Sequence, residues 1–392
     1  MDKKPEKLVP EVRFKGFTDD WEQRKFDNVV KRINDKDDNP ELPHIEFENI
    51  ISGNGTLNKN IKDLNSKKIG TKFQKEDILF GKLRPYLKNW YFAKENGIAV
   101  GDFWVLRAKK ISVFVYYLIQ TEKFYSIANL SSGSKMPRSD WNLVSNSRLN
   151  FPENTIESIK IGNLILQLDK LITLQQRKLE QLKQLKKAML QQLFVNKNNK
   201  QPNLRFKNFN GDWEERKLSD IANYRNGKAH EQYIDMNGIY TVVNSKFIST
   251  NGKVKKFSNE PIELLKKGEI AFVLSDVPNG KALAKAYLID SDNKYSLNQR
   301  IAGISPSSDI NSYFLYVLMN RNRYFLKFDD GVGQTNLSKK DIEEFKENYP
   351  LFDEQQKIAN LFSQIQTLIS LQQNKHTQLI ALKKYLLQKL FI

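Results

Sequence analysis

The feature that most constrains this sequence is an internal repeat, because a duplicated chain must fold into two related halves. Residues 10–25 (PEVRFKGFTDDWEQRK) and residues 202–217 (PNLRFKNFNGDWEERK) are identical at ten of 16 positions. A second block closes each half, since residues 160–194 and 357–391 share 20 identities in 35 positions. Each half therefore opens with the same signature and ends with the same block, and the regions in between differ.

The two repeated closing blocks predict long helices. They are rich in Leu, Gln and Lys, contain no Pro, and place apolar residues at alternating steps of four and three. One stripe runs from Ile161 to Leu193 with Gln175 near its middle, and the other runs from Ile358 to Leu390 with Gln372. A heptad stripe needs a partner helix, and the other copy is the simplest one. We predict an antiparallel coiled coil whose register is fixed by Gln175 facing Gln372.

The regions between signature and closing block predict two α+β domains. Segments such as GIAVGDFWVLR, GIYTVVNSKF and GEIAFVLSDV have the pattern of strands, whereas SVFVYYLIQTEKFYSIAN and NSYFLYVLMNRNRYFLKF have that of helices. We predict an α+β fold with two domains separated by an antiparallel two-helix coiled-coil spacer and related by a pseudo-two-fold repeat. A helical hairpin that serves only as a core element is the alternative, but it does not explain the duplicated domain entry. The predicted boundaries are domains at 1–152 and 204–350, helices at 153–196 and 351–392, and a linker at 197–203.

The charge of the chain suggests a polyanionic partner. The 392 residues include 63 Lys and Arg against 45 Asp and Glu, for a formal net charge of +18. The surplus is shared, with +10 in residues 1–196 and +8 in residues 197–392. Nucleic acid is the leading candidate for such a protein. With no Cys, disulfides and zinc–thiolate sites are excluded, and the lack of long apolar runs predicts a soluble, cytoplasmic protein without a membrane partner.

Basic and amide side chains in turn-like positions are the candidate contacts to double-stranded DNA. Arg can pair with guanine and Asn or Gln with adenine in the major groove, while Lys, Ser and Thr hold phosphates. The candidates are Lys82, Arg84, Tyr86, Lys88, Lys135 and Arg138 in the first half, and Arg225, Lys228, Asn298, Gln299, Arg300, Gln334, Thr335, Asn336, Ser338 and Lys339 in the second. For any single one, a solvated loop residue is the alternative.

Two candidate segments are predicted to open helices that approach DNA. We align residues 135–138 (KMPR) with residues 336–339 (NLSK), because each segment precedes an aspartate, Asp140 or Asp341. Replacing a base-reading residue in either segment is expected to affect one half of a DNA site only.

Motifs of catalysis are absent or weak. None of the Gly-Lys pairs is followed by Ser or Thr, so there is no P-loop, and no Pro-Pro dipeptide occurs, so the amino-methyltransferase motif is missing. The three histidines have no metal-ligand spacing. Asp330 followed by Glu344 and Lys346 resembles a nuclease motif, but we interpret DIEEFKEN as a solvated helix rather than the strand such sites need. The sequence predicts no catalytic residue and no metal site.

Taken in order, these motifs resemble the DNA-specificity subunit of a type I restriction-modification enzyme over essentially the whole chain. The strings that carry the resemblance are VRFKGFTDDWEQRKF paired with LRFKNFNGDWEERKL, then GKLRPYLKNWYFAK, GDFWVLR and SGSKMPRSDW in the first half, and YSLNQRI and GQTNLSKKDI in the second. The two Lys-Ile-Gly/Ala-Asn-Leu helices complete it.

The resemblance implies a function and a set of partners. It implies two target-recognition domains that each read one half of a split, asymmetric DNA site, and helices that set the gap. It implies no catalysis and no cofactor in the chain itself. The partners would be two modification subunits, which bind S-adenosylmethionine and methylate adenine, and motor-nuclease restriction subunits that use ATP and Mg²⁺. The alternative is a stand-alone DNA-binding regulator without a modification partner.

Overall fold

The computed structural model describes residues 9–130, 136–195 and 199–392. The chain divides into two compact units, with residues 1–178 and 373–392 in unit 1 and residues 179–372 in unit 2. Both units combine helices and strands, which confirms the predicted α+β class. The division falls inside both long helices, and the predicted domain boundaries stay a prediction.

Unit 1 is built on two four-stranded sheets in its described part. The strands are β1 (Glu22–Lys25), β2 (Val30–Ile33), β3 (Lys36–Asp37), β4 (His44–Glu46), β5 (Ile50–Ile51), β6 (Thr56–Leu57), β7 (Gly70–Phe73), β8 (Ile78–Gly81), β9 (Trp90–Phe92), β10 (Gly97–Val100), β11 (Phe103–Ala108) and β12 (Arg148–Phe151). The helices are α1 (Ser112–Leu118), α2 (Glu122–Ala128), α3 (Trp141–Asn146) and the first part of α4 (Thr155–Leu193). The sheet orders are β2-β11-β8-β9 and β3-β7-β10-β4.

Unit 2 has sheets of the same kind. Its strands are β13 (Glu214–Lys217), β14 (Ala222–Asn226), β15 (Tyr240–Val243), β16 (Phe257–Ser258), β17 (Leu264–Leu265), β18 (Ile270–Val273), β19 (Ser275–Asp276), β20 (Ala286–Leu288), β21 (Tyr295–Leu297), β22 (Ile301–Pro306), β23 (Thr335–Asn336) and β24 (Lys346–Tyr349). Its helices are α5 (Leu218–Ile221), α6 (Ser245–Ser249), α7 (Ser312–Met319), α8 (Arg323–Leu326), α9 (Lys339–Glu343) and much of α10 (Phe352–Lys389).

The two units repeat one topology. The order β14-β22-β18-β20 in unit 2 corresponds to β2-β11-β8-β9 in unit 1, and each second sheet contains one parallel pair, β4 with β10 or β15 with β21. The signature strands β1 and β13 pair antiparallel with β12 and β24, the strands that directly precede the long helices. The repeat predicted from the sequence is therefore a repeat of structure.

An arginine of each signature is bound to the first turn of a long helix. In unit 1, Arg13 Nε donates to Glu157 Oε1 at 2.7 Å and Nη2 donates to Oε2 at 2.9 Å. In unit 2, Arg205 makes the same two bonds to Glu354 at 2.9 and 2.8 Å. Both carboxylates are buried, 0% and 1% exposed, and lie where a helix N-terminus favours negative charge. The repeated Arg thus fastens each signature to its helix.

Aromatic rings close the core of each unit at the same positions. In unit 1, Trp21 meets Phe114 edge-on at 5.9 Å, and Phe391 packs on Phe114 at 5.1 Å. In unit 2, Trp213 meets Phe314 edge-on at 6.1 Å, and Phe194 stacks on the same ring at 5.2 Å. The last aromatic residue of each closing block is therefore part of a domain core.

The predicted apolar stripes of α4 and α10 are confirmed. Their members are buried or half-buried, including Ile161, Leu168 and Leu179 in α4 and Ile358 and Phe362 in α10.

Within unit 1 the two helices run antiparallel. Asp169 contacts Lys383 at 2.7 Å, and Ile161 shares a core with Leu390, so residue numbers rise in one helix as they fall in the other. Gln175 is half-buried and Gln372 is buried. Their mutual contact stays a prediction.

Helix caps explain two differences from the sequence prediction. The segments 112–129 and 311–328 each form two helices, because Thr121 and Asn322 cap a new helix with their side chains. The predicted strand at 238–247 ends at Val243, since the Asn244 side chain accepts a hydrogen bond from Phe247 N and starts α6. Short polar residues in these positions favour a cap over continuation of the element.

A pair of equivalent positions in the long helices yields a stability prediction. Lys186 donates to Gln366 Oε1 at 2.7 Å in unit 2, at the positions that Lys383 and Asp169 occupy in unit 1. Burial lowers the pKa of Lys186 from its ordinary value of 10.5. Replacing Gln366 by Asp supplies the missing carboxylate, and we expect it to stabilise the protein by roughly 1 kcal/mol at pH 7.

The stabilisation by Q366D is expected to depend on pH. Because the folded pKa of Lys186 lies below its unfolded value, the unfolded chain holds more protons, and the cost of burying the ammonium fades as pH rises toward 10.5. Urea unfolding at pH 7 and pH 9.5 should therefore show a smaller advantage of Q366D at the higher pH. The matched variant Asp169→Asn should be destabilising. A Q366D protein no more stable than the parent at pH 7 contradicts the prediction.

Candidate nucleic-acid interface

Two predicted contacts of unit 1, Lys82 and Arg138, meet at Asp102, and a third, Arg84, is next to them. The Asp102 carboxylate is 3.5 Å from Lys82 Nζ and 3.2 Å from Arg138 Nη2. The backbones are joined as well, since Arg84 N donates to Pro137 O at 2.8 Å and Ser139 N donates to Lys82 O at 2.9 Å. The loop after β8 and the segment before α3 therefore form one basic surface, and Asp102 orients it. Asp102 lies in the segment GDFWVLR, which helps to carry the sequence resemblance, but no role was predicted for it.

The loop from Arg84 to Lys88 is held in an unusual conformation. Arg84 and Lys88 have φ values of 48° and 57°, in the left-handed region that side chains rarely adopt. They flank a turn of 3₁₀ helix at Pro85–Leu87 that leaves Tyr86 exposed, and the Lys88 ammonium lies 5.4 Å from the Tyr125 ring. Backbone strain of this kind persists where the surroundings fix it and often marks functional loops. Lys135 lies outside the described residues.

In unit 2 the corresponding surface is built on the β19–β23 pair. Ser275 is opposite Asn336, Asp276 is opposite Thr335, and Gln334 Nε2 donates to Ser275 Oγ at 2.7 Å. Arg300 joins them through its carbonyl, which accepts from Leu274 N at 3.1 Å. Asn336, Ser338 and Lys339 are exposed, whereas Thr335 is buried. Arg300, Gln334, Asn336, Ser338 and Lys339 thus share one part of the unit.

The remaining candidates of unit 2 form a second group. Lys228 and Asn298 form a parallel bridge, and Gln299 N donates to Lys228 O at 2.9 Å. The Gln299 side chain donates to Glu231, and Lys228 Nζ is 3.0 Å from Glu263. These side chains have acidic neighbours that compete with a phosphate.

Arg225 belongs to a partly buried ion pair. Its guanidinium binds both oxygens of Glu269, with Nη2 at 2.7 Å from Oε2, and Nε lies 3.1 Å from Glu263. Burial on its own raises the pKa of Glu269, but the hydrogen bonds from Arg225 and Ser305 outweigh it and the pKa is lowered.

Unit 1 contains the same pair with its arginine on another strand. There Arg107 on β11 binds Asp77, the equivalent of Glu269, at 2.8 and 2.7 Å. Contact of Arg225 with DNA stays a prediction, and it would require leaving a carboxylate that the fold pairs in both units.

The structure corrects the alignment of the two helix-opening segments. Asp140 is the N-cap of α3. The N-cap of α9 is Ser338, and Asp341, the third residue of that helix, completes the capping box. Arg138 bridges Leu83 just as Asn336 pairs with Ser275, so Arg138 corresponds to Asn336 and not to Lys339. The predicted alignment is wrong by three residues, because the second copy caps its helix with serine.

The nuclease-like motif is occupied by structural contacts. The interpretation of DIEEFKEN as a helix is wrong beyond Glu343, because Lys346 begins β24. Asp330 accepts hydrogen bonds from Val332 N and Gly333 N, which lower its pKa, and Glu344 pairs with Lys217 at 2.8 Å. Among residues 9–130, 136–195 and 199–392, no cluster of three or more His, Asp or Glu could hold a metal ion. No helix in this part of the chain is long and apolar enough to cross a bilayer.

Comparison with known proteins finds similar sequences and folds among proteins of type I restriction-modification systems. Residues 210–381 match the family model described as the type I restriction modification DNA specificity domain. The type I restriction-modification system S subunit from M. genitalium is similar over 98% of this chain and 99% of its own, with a TM-score of 0.67 and 16% identity. A chain from a structural study of the assembly and conformational transition of the type I R-M system is similar over 97% and 99%, with a TM-score of 0.55 and 16% identity.

Proposed function

We propose that each unit of this chain reads one half of a bipartite, asymmetric DNA site, a function supported by the match of residues 210–381 to the type I restriction modification DNA specificity domain. The observation that carries the proposal is that the two units share the same structural residues but expose different side chains at one equivalent position. The signature arginines, the tryptophans and the closing aromatic rings are the same in both units. At the exposed position before the short helix, however, unit 1 presents Arg138 and unit 2 presents Asn336.

These two residues favour different bases. An arginine pairs with the O6 and N7 of guanine, whereas an asparagine pairs with the N6 and N7 of adenine. Equivalent positions with unlike side chains therefore support two unlike half-sites. The lysines around them, such as Lys82 and Lys339, suit phosphate contacts that give affinity without sequence information.

The repeated helices support the proposed partners and the proposed gap. A surface that occurs twice in one chain suits two copies of one protein, which in this proposal are the modification subunits. These would supply S-adenosylmethionine-dependent adenine methylation, and the restriction subunits would add cleavage with ATP and Mg²⁺. This chain would have no catalysis of its own. The coiled coil would fix the gap, since a shift of one base pair moves a reader by about 3.4 Å and turns it about the duplex.

Methylome sequencing of cells with and without this gene tests the proposal. We expect one split adenine-methylated motif that is present only when the gene is present, because the chain would direct methyltransferase subunits to that motif. Affinity purification of the full-length chain should bring down methyltransferase subunits in the same cells. An unchanged methylome would contradict the proposal, and a chain that binds a specific DNA site without any methyltransferase would favour the stand-alone regulator.

A further inference from the structure

Two hydrogen-bonded loops of unit 2 contain exposed valines to which the sequence analysis gave no role. They are residues 276–284 and residues 329–335, and we call them together the double loop. The first follows β19 and the second leads into β23, so the pairing of Ser275 with Asn336 and of Asp276 with Thr335 joins them at the base. The double loop therefore contains the predicted DNA contact Gln334 and is next to another, Asn336.

Hydrogen bonds hold the first loop in one conformation. The Asp276 carboxylate accepts from Ala282 N at 2.6 Å, from Leu283 N at 3.0 Å and from Val277 N at 2.9 Å. From the other side, Arg321 donates to Leu283 O at 3.1 Å. A carboxylate bound by three backbone amides fixes the path of the chain, and the buried side chains of Leu283 and Ala284 anchor the end of the loop in the core of unit 2.

The second loop is held in the same way and is tied to the first. Asp329 Oδ1 accepts from Gly331 N at 3.0 Å and from Asn279 N at 3.4 Å. Asp330 is bound to the amides of Val332 and Gly333, so its carboxylate has a structural role inside the loop. A surface that is ordered before binding loses less entropy when its partner docks.

The double loop exposes apolar side chains that its own fold does not use. Val332 is 85% exposed and Val277 is 63% exposed. Neither belongs to a core cluster, and Asn279 and Lys281 beside them are exposed as well. Because covering apolar surface lowers the free energy, the two exposed valines of the double loop favour an apolar partner group.

The neighbours of the valines indicate what that group is. In the major groove, the C5-methyl of thymine is the apolar group that a base pair presents, and it lies beside the adenine edge that amide side chains recognise. The double loop combines valines with the exposed ammonium of Lys281, which suits a phosphate, and at its base lies the exposed amide of Asn336.

We propose that Val332 and Val277 contact thymine methyl groups in the half-site read by unit 2, and so help to determine its sequence. This rests on the proposed function and names part of its target. It adds the 276–284 loop to the reading surface of unit 2.

Replacing thymine by deoxyuridine tests the contact, because it removes only the C5-methyl. The probe is a duplex with the motif found by methylome sequencing, in which each thymine of the unit 2 half-site is replaced in turn. At one position at least, the full-length protein should bind about fourfold more weakly, as expected for one buried methyl. Val332→Ala should bind the thymine duplex about fourfold more weakly than the parent does. Replacing that thymine by deoxyuridine should not weaken the binding of V332A any further. Val254→Ala, an exposed valine of unit 2 outside the double loop, should bind like the parent.

The outcomes separate this inference from the proposed function. If the parent protein directs no specific motif, the proposed function fails, and this inference fails with it. If the motif exists but binding ignores every deoxyuridine, or V332A remains as sensitive to deoxyuridine as the parent, only this inference is overturned. A V332A protein that binds DNA normally but loses a co-purifying protein also overturns it, because the double loop would then contact that protein.

Discussion

Replacing Arg205 by alanine is expected to destabilise unit 2 by about 3–5 kcal/mol, among the largest effects of any single substitution in this chain. The substitution leaves Glu354, which is 1% exposed, without the two hydrogen bonds that offset the burial of its charge. Arg205 also donates to Gly211 O at 2.6 Å and so holds the turn that leads to Trp213. Urea unfolding of the full-length protein, followed by the fluorescence of its tryptophans, measures the loss.

Two further variants distinguish the ion pair from simple loss of packing. Arg13→Ala should cost unit 1 a similar amount, because Glu157 is bound in the same way and is fully buried. Removing both partners, as in Arg205→Met with Glu354→Leu, should recover most of the loss, since no buried charge is then left unpaired. A single R205A substitution that costs under about 1 kcal/mol, the range of exposed pairs, contradicts the assignment.

The frame of the molecule could be predicted from the sequence because its signals are local or repeated. The stripe from Ile161 to Leu193 has helical periodicity, and the two copies of the Arg-Phe-Lys and Asp-Trp-Glu signatures announce two related units. The resemblance to type I specificity subunits is confirmed over residues 210–381 by the family model, and the fold is shared with the S subunit from M. genitalium. The α+β class and the two long helices are confirmed with it.

The details of the reading surfaces could not be predicted, because their contacts join residues far apart in the chain. Arg225 looks like a loop cation until the sheet brings it to Glu269, 44 residues away. Asp102, in the loop between β10 and β11, meets Lys82 and Arg138, which lie 20 and 36 residues away in the chain. The double loop depends on Asp276 and Asp329, which local patterns describe only as polar turn residues.

The three-residue alignment error arises because the two short helices have different N-cap residues, an aspartate in α3 and a serine in α9. Aspartate is an N-cap of α3, so an aspartate was expected at the same place in the second half. There, Ser338 is the cap and Asp341 closes the capping box from within the helix. Both arrangements satisfy the amide of the third helical residue, to which Asp140 adds the amide of the second residue and the capping box adds that of Ser338. Sequence alone does not choose between them.

The second large effect is expected on DNA recognition, at the two equivalent positions Arg138 and Asn336. Arg138→Ala and Asn336→Ala should each weaken binding to one half-site by about 1–3 kcal/mol, roughly 5- to 150-fold, because each would remove the proposed bidentate contact to a base edge. The two losses should fall on opposite halves of the motif. Equilibrium binding to duplexes with one base pair changed at a time measures them, since a variant that has lost a reader no longer discriminates at the position it read.

A matched control separates reading from general attraction. Arg24→Ala removes the same charge from signature strand β1, where Arg24 pairs with Glu22 at 2.7 Å, and it should leave discrimination at both half-sites intact. Lys82→Ala should weaken binding to all sequences alike and reduce its salt dependence, as loss of a phosphate contact does. If R138A or N336A lowers affinity for every sequence equally, the residue holds a phosphate and reads no base, and the difference between the two half-sites must come from other residues of the loops.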